Sequence, residues 1–120
     1  MGIVLTTPAS APDVDTLTAV TGGDITSGNT STLDVIESAV AKTVKWMVEI
    51  TDVTNEKINS YEILASNRFN NETSFNRSGI TGTRISHLVD VVINGTDMEL
   101  KITNNELVNI SYKVARLEIV

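Results

Sequence analysis

The stretch Leu88–Thr103, LVDVVINGTDMELKIT, decides the fold. Two alternating segments flank Asn94-Gly95, a pair whose residues both tolerate positive φ, which predicts a β-hairpin. In its second arm Met98, Leu100 and Ile102 face one way, and Glu99, Lys101 and Thr103 the other. That period of two is the mark of a strand with one face buried.

The same pattern recurs on both sides of the hairpin. In VKWMVEIT, Val44, Trp46, Val48 and Ile50 alternate with Lys45, Met47, Glu49 and Thr51. INSYEILASN carries Ile58, Tyr61, Ile63 and Ala65 on strand spacing, and the polar NETSFNRSG reads as an edge strand, a composition that discourages sheet-to-sheet sticking. The closing VNISYKVARLEIV alternates through Val108, Ile110, Tyr112 and Val114. Its phase then shifts to Leu117 and Ile119, as a bulge near Ala115 and Arg116 would produce. With TLDVIES, the expectation is an all-β antiparallel sandwich, jelly-roll or Ig-like, of about seven strands. Its core comprises Trp46, Val48, Ile50, Ile63, Leu100, Ile102, Ile110 and Tyr112. Trp46 is its centre, and Trp46→Ala is expected to cost about 3–5 kcal/mol.

The N-terminal third differs. TAVTGGDITSGNTSTLDV, Thr18 to Val35, is nearly all glycine and small polar residues, too poor in apolar surface to fold alone. The expected division is an extended arm over residues 1–38 and a sandwich over 39–120. Val14, Leu17, Val20 and Ile25 are the arm's candidate anchors on a partner. Residues 1–40 hold five carboxylates and no lysine or arginine, whereas 41–120 hold ten acidic and nine basic residues. The chain's net charge is −6, and neither part offers the basic stripe that phosphate neutralisation requires, so no nucleic-acid partner is expected. No apolar run approaches the roughly 18–20 residues of a membrane span, and no membrane partner is expected.

The chemistry is sparse. There is no cysteine, which excludes disulfides and thiolate metal sites. His87 is the sole histidine and reads as structural, and the scattered acids form no calcium loop. No phosphate loop, dinucleotide fingerprint, serine elbow or zinc spacing occurs, so neither an enzyme nor a cofactor is expected. Five Asn-X-Ser/Thr triplets reflect an Asn-, Ser- and Thr-rich β protein. Phe69, Phe75 and Tyr61 read first as core or subunit-packing residues and second as a sugar-stacking surface, Phe69 and Phe75 lying in a polar segment compatible with exposure.

Four stretches together resemble a small β-sandwich module of tailed-bacteriophage virion proteins, found in head decoration or cement proteins and in fibre or tail proteins of marine and cyanobacterial phages. They are AKTVKWMVEITDVTN, SYEILASN, LVDVVINGTDMELKIT and ISYKVARLEI, spread over roughly residues 39–120. NRFNNETSFNRSG stands where that family carries a tight-turned middle hairpin. The resemblance implies a non-enzymatic structural protein without active site or cofactor. With the arm, it points first to a decoration or cement subunit on the capsid surface, made in the host cytoplasm. The implied partners are the major capsid protein and neighbouring copies in a homo-oligomer, by resemblance a trimer. An arm of about 35 residues reaches up to ~115 Å, enough to staple neighbours. The alternative is a tail or fibre module that binds a host surface glycan or another virion protein.

Overall fold

The computed structural model describes the backbone of residues 15–68 and 72–119, with side chains from Gly22 onward. Eight strands run β1 (Asp15–Ile25), β2 (Thr30–Glu37), β3 (Thr43–Asp52), β4 (Lys57–Arg68), β5 (Glu72–Gly82), β6 (His87–Asn94), β7 (Asp97–Asn104) and β8 (Ile110–Ile119). They form two antiparallel sheets, β1-β8-β3-β4-β5 and β2-β7-β6, packed as a sandwich. β5 is an edge strand, as its polarity requires.

The core lies between the sheets and follows the alternation. Val44, Trp46, Val48 and Ile50 of β3 face Met98, Leu100 and Ile102 of β7, with Ile63 of β4 and Ile110 of β8 beside them, all buried. Tyr112 is partly buried against this cluster. Burial of a side chain of this size contributes about 1.5–3 kcal/mol each before entropy is charged against it.

The expected arm, residues 1–38, is corrected where it is described: residues 1–14 lie outside the described residues, and residues 15–37 are strands, β1 pairing with β8 from Asp15↔Ile119 to Ile25↔Ile110 and β2 with β7. Ile25, Leu33 and Ile36 are core residues, so this third of the chain folds by lending its few aliphatics to a core supplied elsewhere. The glycines are close-approach positions in a β1 bulge between Val20 and Gly23. A Cβ on Gly22 would stand 2.6 Å from the Tyr112 carbonyl oxygen, and one on Gly23 2.9 Å from the Tyr112 hydroxyl.

The described residues therefore hold eight strands, with β1 as the addition to the seven read from the sequence. The hairpin turn sits one residue later than predicted: Asn94 pairs with Asp97, and Gly95-Thr96 form the two-residue loop, with positive φ at Gly95. This register sets Ile93 against Met98 in place of Thr96, gaining an apolar cross-strand pair.

β8 begins at Ile110, and its phase does not shift; its pairing with β3 is unbroken from Thr43↔Ile119 to Thr51↔Ser111. Arg116 occupies the inward position, because the Asp34 carboxylate arrives from the other sheet to meet it. The bulge of that region is instead in β2, at Leu33, where one extra residue turns both Leu33 and Asp34 toward the interior.

Asn104, fully buried at the end of β7, ties the loops at this pole. Its amide donates to the carbonyls of Ile25 (2.9 Å) and Val108 (2.8 Å), and its side-chain oxygen accepts from the Glu106 N–H (2.8 Å). Its backbone also exchanges hydrogen bonds with the β1–β2 turn, giving its carbonyl to the Gly28 N–H and its N–H to the Asn29 carbonyl. Val108 thus belongs to the loop before β8 and serves as an acceptor.

Candidate binding cleft

A third bulge, in β5 opposite Tyr61, carries Gly79 at φ 64° and displaces Ile80 from the ladder. Five residues on, Arg84 precedes β6 in a segment anchored by the Thr83 N–H to the Ile58 carbonyl, 2.7 Å, and by the Ser86 N–H to a Glu106 carboxylate oxygen, 2.5 Å. Gly82, at φ 88°, is needed at this corner, since a Cβ there would fall 2.1 Å from the Ile58 carbonyl oxygen. These features open a cleft of about 460 Å³ between β4, β5 and the start of β6. Arg77, Arg84, Asn59, Ser86, His87 and Asn105 supply its polar lining, and Ile80 and Leu88 its apolar flanks.

Its floor is rigid. Tyr61 and His87 lie with ring planes 14° apart and centroids at 5.6 Å, and the Tyr61 hydroxyl is 2.8 Å from His87 Nε2. His87 Nδ1 lies 2.6 Å from the Ile85 carbonyl oxygen, so Nδ1–H donates to that carbonyl and Nε2 accepts from Tyr61. Burial holds the imidazole below its ordinary pKa, against the opposing pull of the Ile85 carbonyl. Burial likewise pushes the Tyr61 hydroxyl up. Both groups are neutral near pH 7, and both imidazole nitrogens are engaged. The pair positions; it has no free site for proton transfer.

Beside this pair, the Arg77 guanidinium carbon lies 5.1 Å from the centre of the Tyr61 ring, within cation–π range, and its charge and hydrogen bonding oppose the upward push on the Tyr61 hydroxyl. Among the described residues no carboxylate lies within 4.0 Å of Arg77 or Arg84, or of Lys42, Lys57 and Lys113, whereas Lys45, Arg68, Lys101 and Arg116 each have one; Arg77 and Arg84 are the two unpaired cations that share the cleft. A larger but more open depression of about 820 Å³ lies around Met47, Glu62 and Lys113, where Glu62 is paired with Lys45 at 3.2 Å.

The residues singled out from the sequence fall elsewhere. Val14 and Phe69 lie outside the described residues, as do the side chains of Leu17 and Val20. Ile25 is buried and unavailable to a partner. Phe75 is 39% exposed and stands opposite Ala65, away from the cleft lining. Tyr61 is no stacking platform, being buried beneath Arg77. His87 is brought into the cleft as a structural residue. Arg77 and Arg84 went unrecognised because two isolated arginines seven residues apart carry no local signal. Among the described residues no group of three His, Cys, Asp or Glu side chains is placed to hold a metal ion.

No family model matches the sequence, and no curated protein matches it. Among solved structures the chain is similar to the tailspike protein of Acinetobacter phage vB_ApiP_P1, with 14% identity and a TM-score of 0.46. The likeness covers 99% of this chain and 24% of that one, so the chain spans about a quarter of the tailspike's length.

Proposed function

We propose that this chain is a non-enzymatic binding module of a tailed-phage virion, belonging to the tail or fibre, and that its cleft recognises a host surface glycan. The observation that carries the reading is the cleft itself: a cavity of ligand size lined by Arg77, Arg84, Asn59, Ser86, Asn105 and His87, the last held by Tyr61 behind it. The sequence resemblance to phage virion modules supplies the setting. A capsid-cement role drew on a 38-residue stapling arm, and residues 15–37 are spent on the sheets.

Two measurements test this. The full chain on a glycan array should retain a subset of glycans, and Arg77→Ser should abolish that retention. No retention, or retention indifferent to the substitution, overturns the glycan reading. Immunogold labelling of virions of the phage that encodes the chain should mark the tail; labelling of the head would restore the decoration reading.

A further inference from the structure

We infer that the ligand of this cleft is an acidic sugar, its anionic group held jointly by Arg77 and Arg84; this rests on the glycan-binding reading above. The first ground is charge. In a chain of net charge −6, with fifteen carboxylates available, two guanidiniums line one cleft without an ion-pair partner among the described residues. Guanidinium presents its N–H groups as a planar fork, matched to the paired oxygens of a carboxylate or phosphate. Arg77 already lies within cation–π range of the Tyr61 ring, a contact that limits the freedom lost when the anion arrives.

The second ground is the rest of the lining, which suits the hydroxyl-rich body of a sugar; an acidic peptide, whose backbone also donates and accepts, is separated from it by the titration below. Asn59 donates its amide to the Thr81 carbonyl at 3.2 Å, which leaves its side-chain oxygen as an acceptor at the cleft. The Asn105 amide and the Ser86 hydroxyl add groups that both donate and accept. Mixed donors and acceptors suit ring hydroxyls, each of which does both. Ile80 and Leu88, 57% and 63% exposed, give the C–H face of a sugar ring its apolar contact. The volume of about 460 Å³ is on the scale of one or two saccharide units.

The test is calorimetric titration of the full chain with sialyllactose, trigalacturonate, mannose 6-phosphate, neutral lactose and hexaglutamate. At least one acidic sugar should bind about tenfold or more tightly than lactose, equivalent to about 1.4 kcal/mol. That affinity should fall at least tenfold in Arg84→Ser, whose side chain is exposed and whose fold a matching melting curve confirms. Arg77→Lys, which keeps the charge and loses the fork, should weaken binding as well. The carboxylated and phosphorylated arms distinguish the two anionic chemistries. Equal binding of neutral and acidic sugars, or binding of neutral glycans only, overturns the inference while leaving a glycan-binding module. Binding of hexaglutamate alone assigns the cleft to an acidic protein partner and overturns both. Failure of every array glycan and every titrant does the same.

Discussion

Asp34 and Arg116 meet across the sandwich, one from each sheet: both Asp34 carboxylate oxygens lie 2.8 Å from the same Arg116 nitrogen. Trp46, the cross-strand neighbour of Arg116, donates its indole N–H to the same carboxylate at 2.7 Å. Glu118 stands 2.7 Å from Arg116 Nε, off the N–H axis, and adds charge without a formed hydrogen bond. One polar cluster thus joins β2, β3 and β8 beside the apolar core.

Removing one member of this pair leaves the other charge nearly buried, since the two side chains are 8% and 17% exposed. Asp34→Ala should cost about 3–5 kcal/mol. The double change Asp34→Leu with Arg116→Leu should cost less than the sum of the single changes, because neither charge is then stranded. Urea unfolding of the three variants checks both statements. Additive losses would mean that the two residues do not act as a unit.

Gly82 and Gly28 both hold positive φ, at 88° and 80°, but in different surroundings. A Cβ on Gly82 would collide with the Ile58 carbonyl oxygen, whereas one on Gly28 would meet nothing within 4 Å. Gly28→Ala should therefore cost only the conformational term, about 1–2 kcal/mol. Gly82→Ala should cost more than that and also distort the cleft. Thermal melting of the two variants gives the ordering, and equal losses would contradict the collision.

Asn104→Ala should remove three side-chain hydrogen bonds at a fully buried position. The expected loss is about 2–4 kcal/mol, given roughly 1 kcal/mol per bond. Hydrogen exchange should quicken at the Glu106 amide, which loses its acceptor. Unchanged protection there would show that the loop holds without Asn104.

Stability should fall with acid in two separate windows. The folded His87 has a lowered pKa, so the unfolded chain takes up its proton first; this contribution is complete above the ordinary value of 6.5 and is lost as pH falls below it. Asp52 is also lowered, first by the Asn55 side-chain hydrogen bond at 2.8 Å. Its contribution is present above the ordinary 3.8 and is lost as pH falls through the lower folded value. His87→Gln, which retains an acceptor for the Tyr61 hydroxyl, should flatten the melting temperature between pH 7 and 5 without removing the second decline. A variant profile parallel to the parent's in that interval would remove His87 as the cause.

Alternation is a local property, which is why VKWMVEIT and MELKIT state their buried faces without help: each residue's side follows from its neighbour's. The all-β class, the inward rows of β3 and β7, the edge position of β5 and the existence of the β6–β7 hairpin are legible along the chain. Other features depend on groups that arrive from distant strands and become visible only once the sheets are assembled. Arg116 reads as an outward residue until Asp34 of the other sheet neutralises it. Gly22 and Gly23 read as arm residues until Tyr112 lies against them. Arg77 and Arg84 make a cleft only because a bulge in β5 and a tight corner at Gly82 bring them to one opening. A polar residue's place depends on whether a partner meets it, and the partner is fixed by topology rather than by adjacent sequence.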